Sequence, residues 1–175
     1  MSILRFLGFG EGGGTTAGEE VESIRQISRK LEELPPEKAR YIAAFAYLLG
    51  RVAHADLEIS KEEARAMERI IAEKAHLPEE QTVMVVEIAK HQNRLFGHVE
   101  NFLVTREFNE LSNRGQRMDL LDCLYAVCAS DRMISMIEDN EIRQISSELL
   151  LDREDFIRIR SRYRDYLSIL QNPSE

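Results

Sequence analysis

Apolar residues recur at intervals of three and four along most of the chain from Glu19 onward, which is the spacing of one face of an α-helix. Stretches rich in Pro, Gly or Asn interrupt this pattern and divide it into segments. No segment shows the alternation with a period of two that is typical of a half-buried strand. The pattern therefore predicts an all-α fold, a single compact bundle of about seven or eight helices. We expect helices from Glu19, over about 37–55, 60–76, 78–91, 98–111 and 116–130, from Ser135, and over about 153–170.

Two of these segments carry more specific predictions. The segment about 37–55 is apolar on most of its sides, which is typical of a central, largely buried helix. The segment about 153–170 spaces its large apolar residues helically, so we expect one continuous helix that buries them. These residues are Phe156, Ile159, Tyr163, Tyr166 and Leu170.

One short pattern occurs twice in the chain. "RVAHADLEISKEEARAMERII" begins at Arg51, and "AVCASDRMISMIEDNEIRQIS" begins at Ala126, so that Asp56 corresponds to Asp131, 75 residues later. The repeat indicates a duplicated helical unit, with halves over about 37–92 and 113–170. Further matching pairs are Ile59 with Ile134, Ser60 with Ser135, Glu63 with Glu138, Met67 with Ile142 and Ile70 with Ile145.

Each copy of the pattern contains Ser-x-x-Glu immediately before an apolar helical segment. This is the capping box, in which the Ser side chain accepts from the backbone N–H three residues on and the Glu side chain accepts from the Ser N–H. Ser60 with Glu63 and Ser135 with Glu138 fit this motif. We therefore expect a helix to begin after each serine.

The acids at the ends of the preceding helices need a second explanation. Asp56 and Asp131 lie where the helix dipole disfavours negative charge, so capping does not account for them. If the two halves pack about a pseudo-two-fold axis, the carboxylates of Asp56, Glu63, Asp131 and Glu138 converge. Such a cluster of oxygen ligands suits Ca²⁺, Mg²⁺ or Mn²⁺, and without a cation it would raise the pKa values of its members. The four acids are the candidate metal site, and capping alone remains the alternative interpretation.

Catalysis has less support in the sequence. No Ser or Cys has a base and an orienting residue at a recognisable spacing, so no catalytic residue is assigned and we predict that the chain is not an enzyme. A metal-dependent hydrolase that uses the same carboxylates is the alternative function.

Composition and charge narrow the classes of partner. The chain is 43% apolar and 31% charged, which is the composition of a globular protein. Its formal net charge is −8, which is unfavourable for binding nucleic acid. Cys123 and Cys128 lie five apart in an apolar helical segment with no His beside them, so we expect buried, reduced thiols. The arginines of the last helix are interspersed with acids, and we expect them to form ion pairs within that helix. A basic stripe that meets phosphate or an acidic partner is the alternative interpretation.

The first residues differ from the rest. Residues 1–18 are rich in Gly and Thr and are predicted to be a flexible tail, ahead of the helical domain over 19–175. The start "MSILRFLGFG" is a poor secretory signal, which favours a cytoplasmic location. Its apolar residues suggest a weak contact with a membrane surface as an alternative role.

The phrases "ADLEISKEE" and "SDRMISMIE", each after an apolar helix, resemble the TerB-like tellurite-resistance family, which is related to a domain of membrane-anchored J-domain co-chaperones. The family phrase is roughly Ala-Asp-Gly-x-Ile-Ser-x-x-Glu, twice in an all-helical domain, and the resemblance covers about 37–170. It implies a non-enzymatic bacterial stress protein that acts through protein partners, with divalent metal proposed at the acidic motif. The family's Gly is replaced by Leu57 and Arg132, so a left-handed turn would be strained there, and Arg132 could pair with Asp131 or Glu138.

Overall fold

The computed structural model describes residues 18–53, 59–91 and 101–171, and within these ranges all regular elements are helical. The strand-like pairing in this part of the chain is an isolated bridge between Ile134 and Leu167. The predicted all-α fold is therefore confirmed. The α-helices are α1 (Gly18–Glu32), α2 (Pro36–Ala53), α3 (Lys61–Ala75), α4 (Glu79–Lys90), α5 (Asn101–Leu111), α6 (Arg114–Ala129), α7 (Met136–Glu148), α8 (Arg153–Ser161) and α9 (Ser168–Gln171), with a 3₁₀ helix over Arg164–Tyr166.

Helix α2 occupies the centre of the bundle, as its composition predicts. Every residue from Tyr41 to Gly50 is buried, and the helix contacts α1, α4, α5, α6 and α7. Its alanines allow neighbouring helices to approach closely, while Phe45 forms an edge-on contact with the ring of Phe108 on α5, at 6.2 Å between centroids. None of the described helices is long and apolar enough to cross a bilayer.

The two halves pack reciprocally. Helix α2 packs against α7, and α3 packs against α6. Helices α2 and α6 are equivalent in the two halves, as are α3 and α7. Each of these four helices therefore packs against the non-equivalent helix of the other half, and α2 also contacts α6. A two-fold relation between two copies produces this pattern of contacts. The duplicated unit therefore folds as two helix pairs packed across a pseudo-two-fold axis.

The likeness of the halves extends beyond the repeated phrase. Helices α3 and α7 are both followed by a residue with left-handed backbone, His76 at φ 54° and Leu150 at φ 57°. A buried leucine comes next in both halves, and a further helix, α4 or α8, begins two residues later. Each half therefore consists of three helices, the last of which the repeat in sequence did not reveal.

The predicted continuous helix over 153–170 is wrong. Helix α8 ends at Ser161, and the chain reaches α9 only after the 3₁₀ turn and an extended residue, Leu167. There the backbone N–H of Ile134 donates to Tyr166 O at 2.7 Å, and the N–H of Ser168 donates to Ile134 O at 3.0 Å. These bonds hold the segment against the turn before α7, which a continuous helix would not allow.

The break also changes which aromatic residues are buried. Ile159 and Tyr163 are buried as predicted, and Phe156 packs against the core. Tyr166 and Leu170 are 40% and 49% exposed, so their predicted burial is wrong. Both come after the end of α8, where the helical spacing on which that prediction depended no longer applies.

The arginines of α8 bind acids of other helices as well as their own. Arg158 pairs with Asp155 three residues earlier, as predicted, at 2.7 Å. Arg160 instead binds Asp139 of α7 at 2.7 Å, so the prediction of pairs within the helix is wrong for this residue. Burial opposes ionisation of Asp139, but its hydrogen bonds from Arg160 and Tyr125 outweigh that effect and lower its pKa. A buried carboxylate requires such partners, and they come from across the bundle.

Arg51, near the end of α2, joins the two halves. Its guanidinium, with a side chain only 5% exposed, binds Glu141 at 2.7 Å and Glu148 at 2.8 Å, both on α7. Thr105 of α5 also donates to Glu148, at 2.8 Å. Burial raises the pKa of Glu148, but the bonds from Arg51 and Thr105 outweigh it, so that the net shift is downward. The Arg51 guanidinium is therefore the common partner of two acids on the facing helix α7.

We expect Arg51→Met to lower the free energy of unfolding by about 2–3 kcal/mol, because it leaves two part-buried carboxylates without their cation. Arg40→Met is the matched control, because Arg40 is also on α2 and pairs with Glu107 in a more exposed setting. Its cost should be about 0–1 kcal/mol. Urea denaturation measures both, and equal losses would contradict a special role for Arg51.

The ion pair between Arg51 and Glu148 makes the stability of the protein depend on pH. The folded-state pKa of Glu148 is below its ordinary value of 4.5, so its stabilisation is present above that pH and is lost as the pH falls through the folded value. We expect the difference in stability between the wild type and Arg51→Met to narrow below about pH 4.5. A difference that stays constant into the acid range would contradict the assignment.

Candidate functional site

The second turn, between α6 and α7, is described in full. Helix α6 ends at Ala129, and Arg132 closes the turn by donating its backbone N–H to Ala129 O at 2.9 Å. Ser130 donates its hydroxyl to Val127 O at 2.6 Å. Ile134, the residue before the cap, is fully buried. These contacts leave Asp131 exposed at the tip of the turn.

Both predicted capping boxes are present. Ser60 Oγ accepts from the N–H of Glu63 at 3.2 Å, and the Ser60 N–H donates to Glu63 Oε2 at 2.7 Å. In the second half the corresponding bonds of Ser135 and Glu138 are 3.2 and 2.8 Å, and the Ser135 hydroxyl also donates to Glu138 Oε2, at 2.7 Å. One oxygen of each glutamate is therefore engaged at a helix start.

Three of the four candidate ligands line one cavity of about 120 Å³. Glu63 comes from the first half, whereas Asp131 and Glu138 come from the second. The apolar part of the lining includes Ile59 and Met67 of the first half. We call this cavity, with the lining residues named here, the inter-turn cleft. The two halves thus bring their acids to a common place, as the pseudo-two-fold packing implies.

The described residues do not by themselves form the predicted metal site. Within 18–53, 59–91 and 101–171, no three His, Cys, Asp or Glu residues are placed so that they could hold a metal ion. Asp56, the fourth predicted ligand, lies outside the described residues. The expected rise in pKa is wrong for Glu63, because its hydrogen bonds with Ser60 lower its pKa. The glutamates are placed as helix caps, and a metal at the four acids stays a prediction.

Cys128 also lines the inter-turn cleft, which the sequence did not indicate. It is free and buried, as is Cys123, so the prediction of buried, reduced thiols is confirmed. Burial, together with Glu138 and Asp131, raises the pKa of the Cys128 thiol far above its ordinary range. Burial and the two acids therefore disfavour the thiolate, which is the form in which a cysteine acts as a nucleophile.

Arg132 adopts the left-handed backbone that the family phrase gives to glycine. Its φ is 66°, and its side chain is exposed. Among the described residues it forms no ion pair with Asp131 or Glu138, so the expected internal pair is wrong. The turn is therefore kept despite the loss of glycine, and the backbone carries the strain. Leu57, the corresponding residue of the first half, lies outside the described residues.

Three large apolar side chains are exposed at the second turn and at the start of α7. Met133, Met136 and Ile137 are 54%, 56% and 70% exposed. Their counterparts in the first half, 75 residues earlier, are Glu58, Lys61 and Glu62, all charged. The helix start does not require apolar residues at these positions, since Ser60 caps α3 with Lys61 and Glu62 in place. We call Met133, Met136 and Ile137 the apolar triad.

The predicted tail, residues 1–18, and its suggested membrane contact lie outside the described residues, except for Gly18, which is the first residue of α1.

We expect Arg132→Gly to raise the free energy of unfolding by about 0.5–1 kcal/mol, because glycine adopts positive φ without steric cost but loses more chain entropy on folding. Arg132→Ala is the control, since it removes the charge and keeps the Cβ. Urea denaturation of the three proteins is the measurement. If alanine stabilises as much as glycine, the charge and not the backbone is responsible.

Comparison with protein families gives one match. The model of the family described as tellurite resistance protein TerB matches residues 41–161, which is more than half of the chain and includes both capped turns. No significant match was found among curated proteins or among solved structures. The match begins within α2 and ends with α8, so it includes all the residues that line the inter-turn cleft. The chain therefore belongs to the TerB family.

Proposed function

We propose that this chain is a non-enzymatic interaction module of a bacterial stress response linked to tellurite resistance, and that a partner protein binds at the apolar triad beside the inter-turn cleft. The observation that carries the proposal is the exposure of Met133, Met136 and Ile137 at positions where the first half has charged residues. The family match supports the link to tellurite resistance.

The packing of the chain itself does not explain why the side chains of the apolar triad are exposed. Single exposed apolar residues are ordinary, but three within five positions form a patch of the kind that marks an interaction site. Methionine suits such a surface, because its flexible, polarisable side chain adapts to the shape of a partner. The charged counterparts in the first half are compatible with the same helix cap, so the fold does not require the triad.

The charges around the triad define the complementary partner. Asp131 and Glu138 flank the triad in sequence, and Glu63 lines the same cleft from the other half. A partner that inserts an apolar side chain and places Lys or Arg beside it would match both features.

We expect the double variant Met136→Lys, Ile137→Glu to abolish partner binding without loss of stability. It introduces the residues that Lys61 and Glu62 supply in the first half, and an acid in the first turn of a helix is favourable. A photo-crosslinking amino acid at position 137 should yield a partner adduct in cells. The same amino acid in place of Arg106, which is exposed on α5, is the control and should yield none.

The survival of cells on tellurite tests whether partner binding at the apolar triad is needed for resistance. In a strain that lacks the gene, we expect the wild-type chain to restore survival and the double variant to fail while it accumulates to the same level. Full survival with the double variant, or equal adducts at positions 137 and 106, would contradict the proposal. Asp131→Asn tests the enzyme alternative, because a hydrolase that depends on this carboxylate would lose survival on tellurite while the adduct at position 137 is still formed.

The divalent cation at the four acids is the second part of the proposal, supported by the acids that line the inter-turn cleft. Its expected signature is a rise in Tm on addition of Ca²⁺, Mg²⁺ or Mn²⁺, because a ligand that binds the folded state stabilises it by mass action. The double variant Asp56→Asn, Asp131→Asn should remove the rise. An unchanged Tm with all three ions would reject the cation and leave the partner site standing.

A further inference from the structure

A second cavity, of about 700 Å³, lies between α7, α8 and the C-terminal segment. It shares no lining residue with the inter-turn cleft. Four arginines line it, Arg143, Arg153, Arg160 and Arg164, in a chain whose formal net charge is −8. We call this cavity the arginine cavity.

The four arginines differ in how they are paired with acids. Arg160 is neutralised by Asp139, which accepts from its Nη2 at 2.7 Å and from its Nε at 2.9 Å. In contrast, Arg143, Arg153 and Arg164 form no ion pair with an acid among the residues that the structure describes. Among the described lining residues the acid is Asp152, which accepts from the N–H of Asp155 as the cap of α8 and also lies 3.7 Å from the guanidinium of Arg114. The cavity therefore carries a local positive charge within an acidic chain.

Part of the cavity lining is apolar. Phe156 and Ile157 of α8 belong to the lining, together with Leu170 of α9, and Ile157 and Leu170 are about half exposed. The Arg143 guanidinium lies over the Phe156 ring, 5.6 Å from its centroid, so that a cationic group and the apolar surface are directly adjacent. A ligand that fits this lining has an anionic group and an apolar body.

Size and chemistry restrict the ligand further. A volume of about 700 Å³ is within the range of roughly 300–1,000 Å³ that is usual for small-molecule sites. Guanidinium groups bind carboxylates and phosphates through paired, charge-assisted hydrogen bonds, which neutral head groups cannot form. We propose that the arginine cavity binds a small amphiphilic anion, a carboxylate or phosphate monoester with an apolar chain. Arg153 and Arg164 bind the head group, and Ile157 and Leu170 contact the chain.

Calorimetric titration with decyl phosphate tests this site on the full chain. We expect saturable binding at one site per chain. Decanol, which has the same chain and no charge, should bind at least tenfold more weakly. Inorganic phosphate, which lacks the chain, should give no measurable binding. Equal binding of decanol and decyl phosphate would overturn the role of the arginines.

The double variant Arg153→Gln, Arg164→Gln tests the assigned residues. Both side chains are exposed, so the fold should be retained, which the Tm verifies. We expect the dissociation constant for decyl phosphate to rise at least tenfold. Arg69→Gln, Arg106→Gln is the control with the same loss of charge at exposed positions of α3 and α5, and it should bind as the wild type does. Equal weakening in both double variants would mean a general effect of net charge and would reject the site.

A separate experiment distinguishes a membrane lipid from a soluble amphiphile as the source of the anion. Sedimentation with vesicles that contain phosphatidylglycerol detects a lipid head group presented on a membrane. Vesicle binding that the Arg153→Gln, Arg164→Gln variant loses would assign the cavity to a membrane lipid. Binding of decyl phosphate without vesicle binding would assign it to a soluble amphiphile.

Discussion

The contact between the end of α2 and α7, through Arg51, fixes how the two halves of this protein meet. A guanidinium buried to this extent requires anionic partners, and Glu141 and Glu148 supply them from the facing helix. The apolar packing of α2 against α6 and α7 brings the halves together without strict direction, whereas the ion pairs set their register. The cleft between the capped helix starts exists because this register places Glu63 beside Asp131 and Glu138.

The duplication has conserved the framework and changed the surface. Both second helices begin with the same capping box, and both end before a residue with left-handed backbone. Around the cap, however, the first half has Lys61 and Glu62 while the second exposes Met136 and Ile137. A helix cap needs only its serine and glutamate, so the neighbouring positions are free to acquire another role. The proposed partner site follows from this difference between the halves.

The C-terminal segment joins the two sites of the molecule. Leu167 lines the arginine cavity, and the residues on either side of it bond to Ile134 in the turn that presents the apolar triad. Both sites therefore depend on the short extended segment at Leu167, between the 3₁₀ helix and α9. The arginines gather there because α8 ends early and the 3₁₀ turn brings Arg164 back toward α7.

The sequence by itself determined the helices, the central place of α2, both capping boxes, the duplication and the buried thiols. Helical periodicity and caps arise from interactions within about four residues, so they can be read along the chain. The tertiary structure decided the break before Leu167, the partner of Arg160, the buried position of Arg51 and the grouping of arginines around one cavity. In each of these cases the deciding group is far away in sequence, as with Arg51 and Glu148, 97 residues apart. Local patterns contain no information about such partners, because burial and register are fixed only when the halves pack.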